Sequence, residues 1–160
     1  MAESQDKMRQ NVLVAIDFSP HAMAALKYAA NMSKCIGTNL TILHVVHDLA
    51  SSPGYYAPKK IKGGKKILKR LEEIAEEMMD EFLAKLIKEN PELKSTIKKA
   101  DVMLVSGLTV TKILQVVEKL QPQLLVMGNK GRSGLKNILM GSKAEQVIKL
   151  CPIPVTIVKE

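Results

Sequence analysis

Five short, mostly apolar runs alternate with helix-like patterns along the chain, and this alternation most constrains its fold. The runs span residues 12–16, 40–46, 102–105, 124–127 and 155–158. Continuous apolar runs of this length are typical of strands covered on both faces, as in parallel sheets. A helix between two such strands predicts a right-handed parallel crossover. We therefore predict an α/β fold with a single doubly wound, five-stranded parallel sheet and helices on both faces.

Residue types at the ends of the runs place the helices. Ser19-Pro20 predicts a helix start, because serine caps the first turn and proline suits the first helical position. Gly37 predicts the end of that helix. Apolar residues at helical spacing predict one amphipathic helix over residues 64–89. Thr109 is predicted to cap the helix before the fourth strand.

Length and composition indicate one soluble domain over residues 1–160. The first ten residues lack the apolar core that a signal peptide needs, and no later segment is a long uncharged apolar run. Cys35 and Cys151 are isolated in the sequence, so we expect reduced thiols. These features predict a cytoplasmic protein that does not enter a membrane.

A basic run follows the second apolar run. Residues 48–64 are rich in Ser, Pro, Gly, Tyr and Lys, which predicts a long loop. Residues 59–70 are strongly basic with no acidic residue among them, and the whole chain has a formal net charge of +8. Such a run is usually a solvated face, but it leaves open a surface for nucleic acid or an acidic partner. Nucleic acid is the less favoured partner, because the chain has no Trp, three Tyr and two Phe on which bases could stack.

Glycines follow the fourth apolar run and precede the last helical pattern. They are Gly128, Gly131 and Gly141, and Ser142 follows the last of them. Glycines let several backbone N–H groups approach a phosphate, and a helix N-terminus adds a favourable dipole. Positive charge is available nearby from Lys130, Arg132 and Lys143. The stretch therefore fits a phosphate site, although its spacing is neither Walker A nor GxGxxG, and simple turn and cap roles explain it equally well.

Asp17 and Gly128 each directly follow an apolar run. In doubly wound folds, ligands bind beyond the carboxyl ends of the strands, where the strand order reverses. If the first and fourth strands are neighbours across that reversal, the Asp17 carboxylate meets the glycine loop at one site.

His44 and His47 invite a metal-site interpretation. Three residues apart on one strand they would point to opposite faces, and no Cys or carboxylate cluster completes a site. We therefore predict no metal ion held by the protein's own side chains.

Several separated motifs agree in their order along the chain. They are residues 12–19 (VLVAIDFS), 43–45 (LHV), 126–128 (VMG) with Gly131, and Gly141-Ser142 before a closing Pro154-Val155 strand. Together they resemble the universal stress protein family, and the glycine pattern resembles that of the members that bind ATP. The resemblance implies strand order 3-2-1-4-5 and a homodimer formed through the last strand. Prolines just before that strand also favour a sheet edge.

Placed on this chain, the family pattern implies a complete ATP site. Asp17 would meet the ribose or the base edge, and Ala15 and Val45 would lie against the adenine. The loop would begin at Met127 and Gly128. The phosphates would be held by Gly131, Arg132, Ser133, Gly141 and Ser142. Mg or Mn would bind through the phosphates. The chain departs from the family pattern at three further positions of this site, Asn129, Lys130 and Lys143.

We expect a cytoplasmic ATP-binding protein of stress response or signalling, and the sequence leaves open whether a protein partner takes part. The first alternative is a slow ATP hydrolase or phosphotransferase. Efficient hydrolysis needs a base or a water-orienting group near the γ-phosphate, and the glycine loops offer Asn, Lys, Arg and Ser but no carboxylate. The second alternative, which rests on the basic run, is a binding module for nucleic acid or an acidic partner.

Overall fold

The computed structural model describes residues 11–47, 71–132 and 139–160. Within these ranges the chain forms one parallel sheet, whose strands are β1 (Asn11–Ile16), β2 (Asn39–Val46), β3 (Asp101–Ser106), β4 (Leu124–Gly128) and β5 (Val155–Val158). Their order across the sheet is β3-β2-β1-β4-β5, and all neighbouring strands run parallel. The predicted five-stranded fold and its strand order are confirmed.

Helices cover both faces of this sheet. They are α1 (Pro20–Ile36), α2 (Leu71–Glu89), α3 (Lys94–Lys99), α4 (Thr109–Leu120) and α5 (Ser142–Leu150). Side chains alternate along each strand, so β1 supplies Val12 and Val14 to one apolar core and Leu13 to another. The first core packs β1 against α1 and α2, and the second packs the opposite face against α4 and α5.

The strand order reverses between β1 and β4. Val14 of β1 is paired with Ile42 of β2 on one side and with Val126 of β4 on the other. The chain therefore winds outward from β1 in both directions, and the crossover helices on the two sides lie on opposite faces. This arrangement opens a crevice above the carboxyl ends of β1 and β4, as predicted.

The signals for the first helix are confirmed. Ser19 Oγ accepts a hydrogen bond from the Ala22 N–H at 3.1 Å, and Pro20 is the first helical residue. Gly37 ends the helix in the left-handed conformation with φ 69°, which glycine adopts without a steric penalty. Asp17, one turn before this helix, is thereby held at the end of β1.

The predicted cap at Thr109 is wrong. Thr109 is already the first residue of α4, the capping position is Leu108, and no side chain caps this end. The chain stays tied to the sheet through the Gly107 N–H, which donates to the Val46 carbonyl at 2.9 Å. Gly107 then turns with φ 140°, so the helix begins one residue earlier than the Thr109 cap would allow.

Two further differences concern the region before β3. The helix predicted over residues 64–89 is observed from Leu71, and residues 64–70 lie outside the described part of the chain. The short 3-10 turn Pro91–Leu93 and the six-residue α3 were not predicted. Their buried residues, Leu93 and Ile97, are too few to give a helical period. Across the described residues, no helix is both long and apolar enough to span a membrane.

Candidate nucleotide-binding cleft

A cleft of about 200 Å³ lies at the carboxyl ends of β1, β2 and β4. The first turns of α4 and α5 and the loop after β4 complete its walls. Most residues that the sequence predicted for the site line this one space: Ala15, Asp17, Val45, Met127, Gly128, Lys130, Gly131, Arg132, Gly141, Ser142 and Lys143. The strand-order reversal therefore gathers residues that are more than 120 positions apart in the sequence.

Asn129 was predicted to belong to the site but does not line the cleft, unlike the other predicted site residues that the structure describes. Its side chain is buried, and its Nδ2 donates to the Leu139 carbonyl at 3.2 Å. Its own carbonyl accepts the Gly141 N–H at 2.7 Å, and its N–H donates to Val158 of β5. Asn129 thus joins both ends of the loop to the sheet and positions the cleft wall. The other remaining prediction, Ser133, lies outside the described residues.

Glycine occupies the three loop positions for different structural reasons. A Cβ at position 131 would lie 2.8 Å from Asp17 Oδ2, so this part of the loop backbone runs directly against the carboxylate. A Cβ at position 128 would lie 2.9 Å from backbone atoms of His21, so Gly128 lets β4 approach α1. At Gly141 the nearest atom would be the Asn129 carbonyl oxygen at 3.5 Å, an ordinary contact. Close approach explains Gly128 and Gly131, whereas the protein itself leaves room for a side chain at position 141.

Asp17 carries its carboxylate on the cleft wall in a fixed orientation. Oδ1 accepts a hydrogen bond from the Ser19 N–H at 3.1 Å, at the start of α1. Oδ2 faces the backbone at Gly131. A half-buried carboxylate held in this way is an acceptor for hydroxyl or amino donors of a ligand.

His44 lines the floor of the cleft and is 2% exposed. Its Nδ1 lies 2.8 Å from the Ile16 carbonyl, which can only accept, so Nδ1 carries the proton. The pKa of His44 is lowered from 6.5 to about 4, mainly by burial, which outweighs the opposing effects of the Ile16 hydrogen bond and the Asp17 charge. The ring also packs against Phe18, whose centroid is 4.3 Å away. His44 is therefore neutral at physiological pH and supports the floor.

His47 lines the same cleft as His44, at the carboxyl end of β2. Strand β2 ends at Val46, so His47 is the first residue beyond the strand. Burial lowers the pKa of His47, and the nearby Lys143 ammonium lowers it as well. Sequence reasoning did not include His47 among the predicted site residues, and its position at a strand end is the signal that could have found it. Within the described ranges, no group of three or more His, Cys, Asp or Glu could hold a metal ion.

Positive charge dominates one side of the cleft. Lys130 and Arg132 follow β4, and Lys143 lies in the first turn of α5. That helix starts at Ser142 with no side-chain cap, and its first backbone N–H groups and dipole favour an anion there. Ala15, Val45 and Met127 give the other side an apolar character. The cleft therefore combines an apolar wall, one fixed carboxylate and a cationic loop.

A larger open groove, of about 600 Å³, lies between α1 and α2. Its floor is apolar, with Met23, Met78 and Phe82, and its rim carries both acidic and basic side chains. None of the loop glycines lines it. The groove lacks the combination of features that marks the smaller cleft, so the cleft is the candidate site.

Solved structures share this fold. A universal stress protein from Methanocaldococcus jannaschii superposes with a TM-score of 0.66 at 26% identity, covering 96% of this chain and 97% of the other. A universal stress protein in complex with cAMP gives a TM-score of 0.60 at 19% identity, covering 93% and 96% of the two chains. One from Archaeoglobus fulgidus in complex with dAMP gives 0.58 at 19% identity, covering 95% and 99%.

Sequence comparison gives the same family. Universal stress protein YxiE of Bacillus subtilis is 32% identical over 159 residues, which cover 95% of this chain and 100% of the relative. The model of the universal stress protein family matches residues 8–159. The chain therefore belongs to the universal stress protein family.

Proposed function

We propose that the cleft binds an adenine nucleotide, and that the protein acts through this binding in a cytoplasmic stress response or signalling pathway. The observation that carries the proposal is the meeting of an apolar wall, a fixed carboxylate and a cationic glycine loop in one cleft at the strand-order reversal. A base, a ribose and a phosphate present the same three kinds of surface in the same order.

Each part of the nucleotide has a matching wall. The adenine packs between the apolar side chains of Ala15 and Val45. The Asp17 carboxylate accepts a hydrogen bond from a ribose hydroxyl, a charge-assisted contact. The phosphates lie over Gly131 and Gly141, where backbone N–H groups and the start of α5 favour an anion.

Two family members of the same fold are known as complexes with cAMP and dAMP, which supports the nucleotide class. We further propose ATP as the physiological ligand. The cleft of about 200 Å³ is smaller than the roughly 300–1,000 Å³ usual for small-molecule sites. It would enclose the nucleoside, while a phosphate chain would extend along Lys130 and the exposed Arg132. Mg or Mn would be held through the phosphates, because no acidic cluster is present among the described residues.

We propose binding rather than efficient turnover. Hydrolysis requires a base or a water-orienting group at the terminal phosphate. Of the described residues that line the cleft, Asp17 is the one with a carboxylate, and its Oδ1 already accepts the Ser19 N–H. A slow hydrolase stays an untested alternative, as does a role for the basic run at residues 59–70, which lies outside the described residues.

We also propose that the protein forms a homodimer through β5. This strand is at one edge of the sheet, and its four residues are half-buried in the single chain. A free strand edge leaves N–H and C=O groups without partners, and a second copy would supply them.

Isothermal titration calorimetry with AMP, ATP and GMP tests the proposed binding. Asp17→Asn should weaken AMP binding by about five- to tenfold, because a charge-assisted hydrogen bond of roughly 1.5–3 kcal/mol becomes a neutral one of roughly 0.5–1.5 kcal/mol. The matched control is Asp101→Asn, which changes an exposed carboxylate at the start of β3, at the opposite end of the sheet. No binding of any adenine nucleotide by the wild type would overturn the proposal. GMP binding as tight as AMP binding would contradict the adenine assignment.

A further inference from the structure

His47 is a titratable residue of the cleft to which the proposed nucleotide binding assigns no role. We propose that His47 is a phosphate-recognition residue, which takes up a proton when a phosphorylated ligand enters the cleft. This inference rests on the proposed nucleotide site and adds a residue and a pH dependence to it.

The backbone fixes His47 at the cleft rim. The Gly107 N–H donates to the Val46 carbonyl at 2.9 Å and so holds the last residue of β2 against the turn that follows β3. The next residue, His47, is half-buried and faces the cleft. It shares this space with Lys143 from the first turn of α5, beside the Gly141-Ser142 pair. The imidazole is therefore positioned among the groups assigned to the phosphates.

The surrounding charges define what the imidazole can do. Lys143 faces it from α5, Asp17 from the end of β1 and the neutral His44 from β2 itself. Helix α4 contributes only Thr109 and Ile113 to the cleft, and neither is charged. The loop after β4 adds two more cations to the same lining, Lys130 and Arg132. Without a ligand, a proton on His47 would add one more positive charge to a cationic region.

A bound phosphate reverses this balance. Burial and the Lys143 charge lower the pKa of His47 below the ordinary value of 6.5, so it is neutral near pH 7 in the free protein. A phosphate beside Lys143 supplies negative charge and oxygen acceptors, both of which favour the protonated imidazole. The ligand thus raises the pKa of His47, and by linkage the protonated protein binds the phosphate more tightly. His44 does not contribute in this range, because its pKa is about 4.

The sign of the effect is definite. Ligand affinity should rise as the pH falls through the pKa that His47 has in the complex, and it should level off below the pKa in the free protein. One linked proton limits the slope to about tenfold per pH unit. Adenosine, which has no phosphate, should show no such rise.

The test is calorimetry with cAMP, AMP and adenosine between pH 8.0 and 5.5. The cAMP phosphodiester has no second proton, whereas the AMP phosphate titrates near pH 6, as phosphomonoesters do. We expect the cAMP affinity to increase several-fold over this range, with fractional proton uptake when buffers of different ionisation enthalpy are compared. For AMP, the titration of the ligand is common to all variants, so the ratio of wild type to His47→Asn isolates the contribution of His47.

His47→Asn should remove the pH dependence and the proton uptake. The matched control is His21→Asn, because His21 is a half-buried histidine outside the cleft, 3.7 Å from Glu160. Persistence of the pH dependence in His47→Asn, or an equal dependence for adenosine, would overturn the role of His47. Nucleotide binding without pH dependence would overturn this inference alone. Absence of nucleotide binding at every pH would overturn the proposed function and this inference with it.

Discussion

Gly131 and Gly141 should respond differently to the same substitution, alanine. In the folded protein, the added Cβ of Gly131→Ala would lie 2.8 Å from Asp17 Oδ2, well inside the 3.4 Å at which ordinary contact begins. The carboxylate must move away, so its proposed contact with the ribose would be lost or lengthened. Loss of a charged hydrogen bond costs roughly 1.5–3 kcal/mol, which is about a ten- to a hundredfold loss of affinity. Because the ribose is common to both ligands, the affinities for adenosine and for ATP should fall by similar factors.

Gly141→Ala should leave the affinity for adenosine unchanged and lower the affinity for ATP. The new Cβ would meet only ordinary contacts in the protein, the nearest being the Asn129 carbonyl oxygen at 3.5 Å. It would lie 3.7 Å from the Gly131 backbone nitrogen, in the space through which phosphates would approach that N–H. The protein should therefore fold normally and lose affinity for ATP far more than for adenosine. Sequence reasoning gave both glycines the same phosphate role, and the contact with Asp17 separates them.

Calorimetry with adenosine and ATP, together with melting curves, measures both effects. Gly37→Ala is the control, because Gly37 has φ 69° and nothing within 4 Å of a new Cβ. It should lower the free energy of unfolding by about 1–2 kcal/mol and leave both affinities unchanged. Unaltered adenosine binding in Gly131→Ala would remove Asp17 from the ribose contact. Equal losses for both ligands in Gly141→Ala would show that the phosphates lie elsewhere.

Three further predictions concern the packing of the fold, its pH stability and the proposed dimer. Gly128→Ala should lower the free energy of unfolding by roughly 1–3 kcal/mol in urea titrations, because its Cβ would lie 2.9 Å from the His21 backbone; an unchanged midpoint would contradict the close packing of β4 on α1. Because burial lowers the pKa of His44 from 6.5 to about 4, the unfolded chain binds a proton there first as the pH falls. The stability that the neutral His44 contributes should thus be complete above pH 6.5, and the free energy of unfolding should decline by up to roughly 3 kcal/mol toward pH 4. His44→Gln should make this decline smaller. An unaltered pH profile in His44→Gln would show that His44 is not its source. The Pro154 and Val158 carbonyls, just before β5 and at its end, accept from the Leu125 and Asn129 N–H groups, so by alternation the Ile157 N–H points outward. Ile157→Pro should shift the protein toward the monomer in light scattering, and a monomeric wild type would rule out the dimer.

Local chemistry was sufficient to predict most of the fold. The five runs are mostly apolar because the sheet is covered on both faces, and Ser19, Pro20 and Gly37 act on their own neighbours. The neighbouring positions of β1 and β4 follow from the strand-order rule once the order is known. These features depend on residues close in sequence or on a pattern that every strand shares.

The remaining features depend on contacts between distant segments. His47 was left out of the predicted site because Lys143, which lines the cleft with it, lies on a helix far along the chain. Asn129 was predicted to contact the ligand, but its side-chain amide donates a hydrogen bond to the Leu139 carbonyl at the other end of the loop. The roles of Gly128 and Gly131 depend on His21 in α1 and on Asp17 just before that helix, both far away in the sequence. None of these partners is visible in a single sequence.

A crystal structure of the protein with bound ATP would test the proposed nucleotide site most directly. We expect adenine between Ala15 and Val45, a ribose hydroxyl within hydrogen-bonding distance of Asp17, and phosphates at the Gly131 and Gly141 backbone. Nucleotide bound instead in the larger groove between α1 and α2, against Met23 and Phe82, would contradict it.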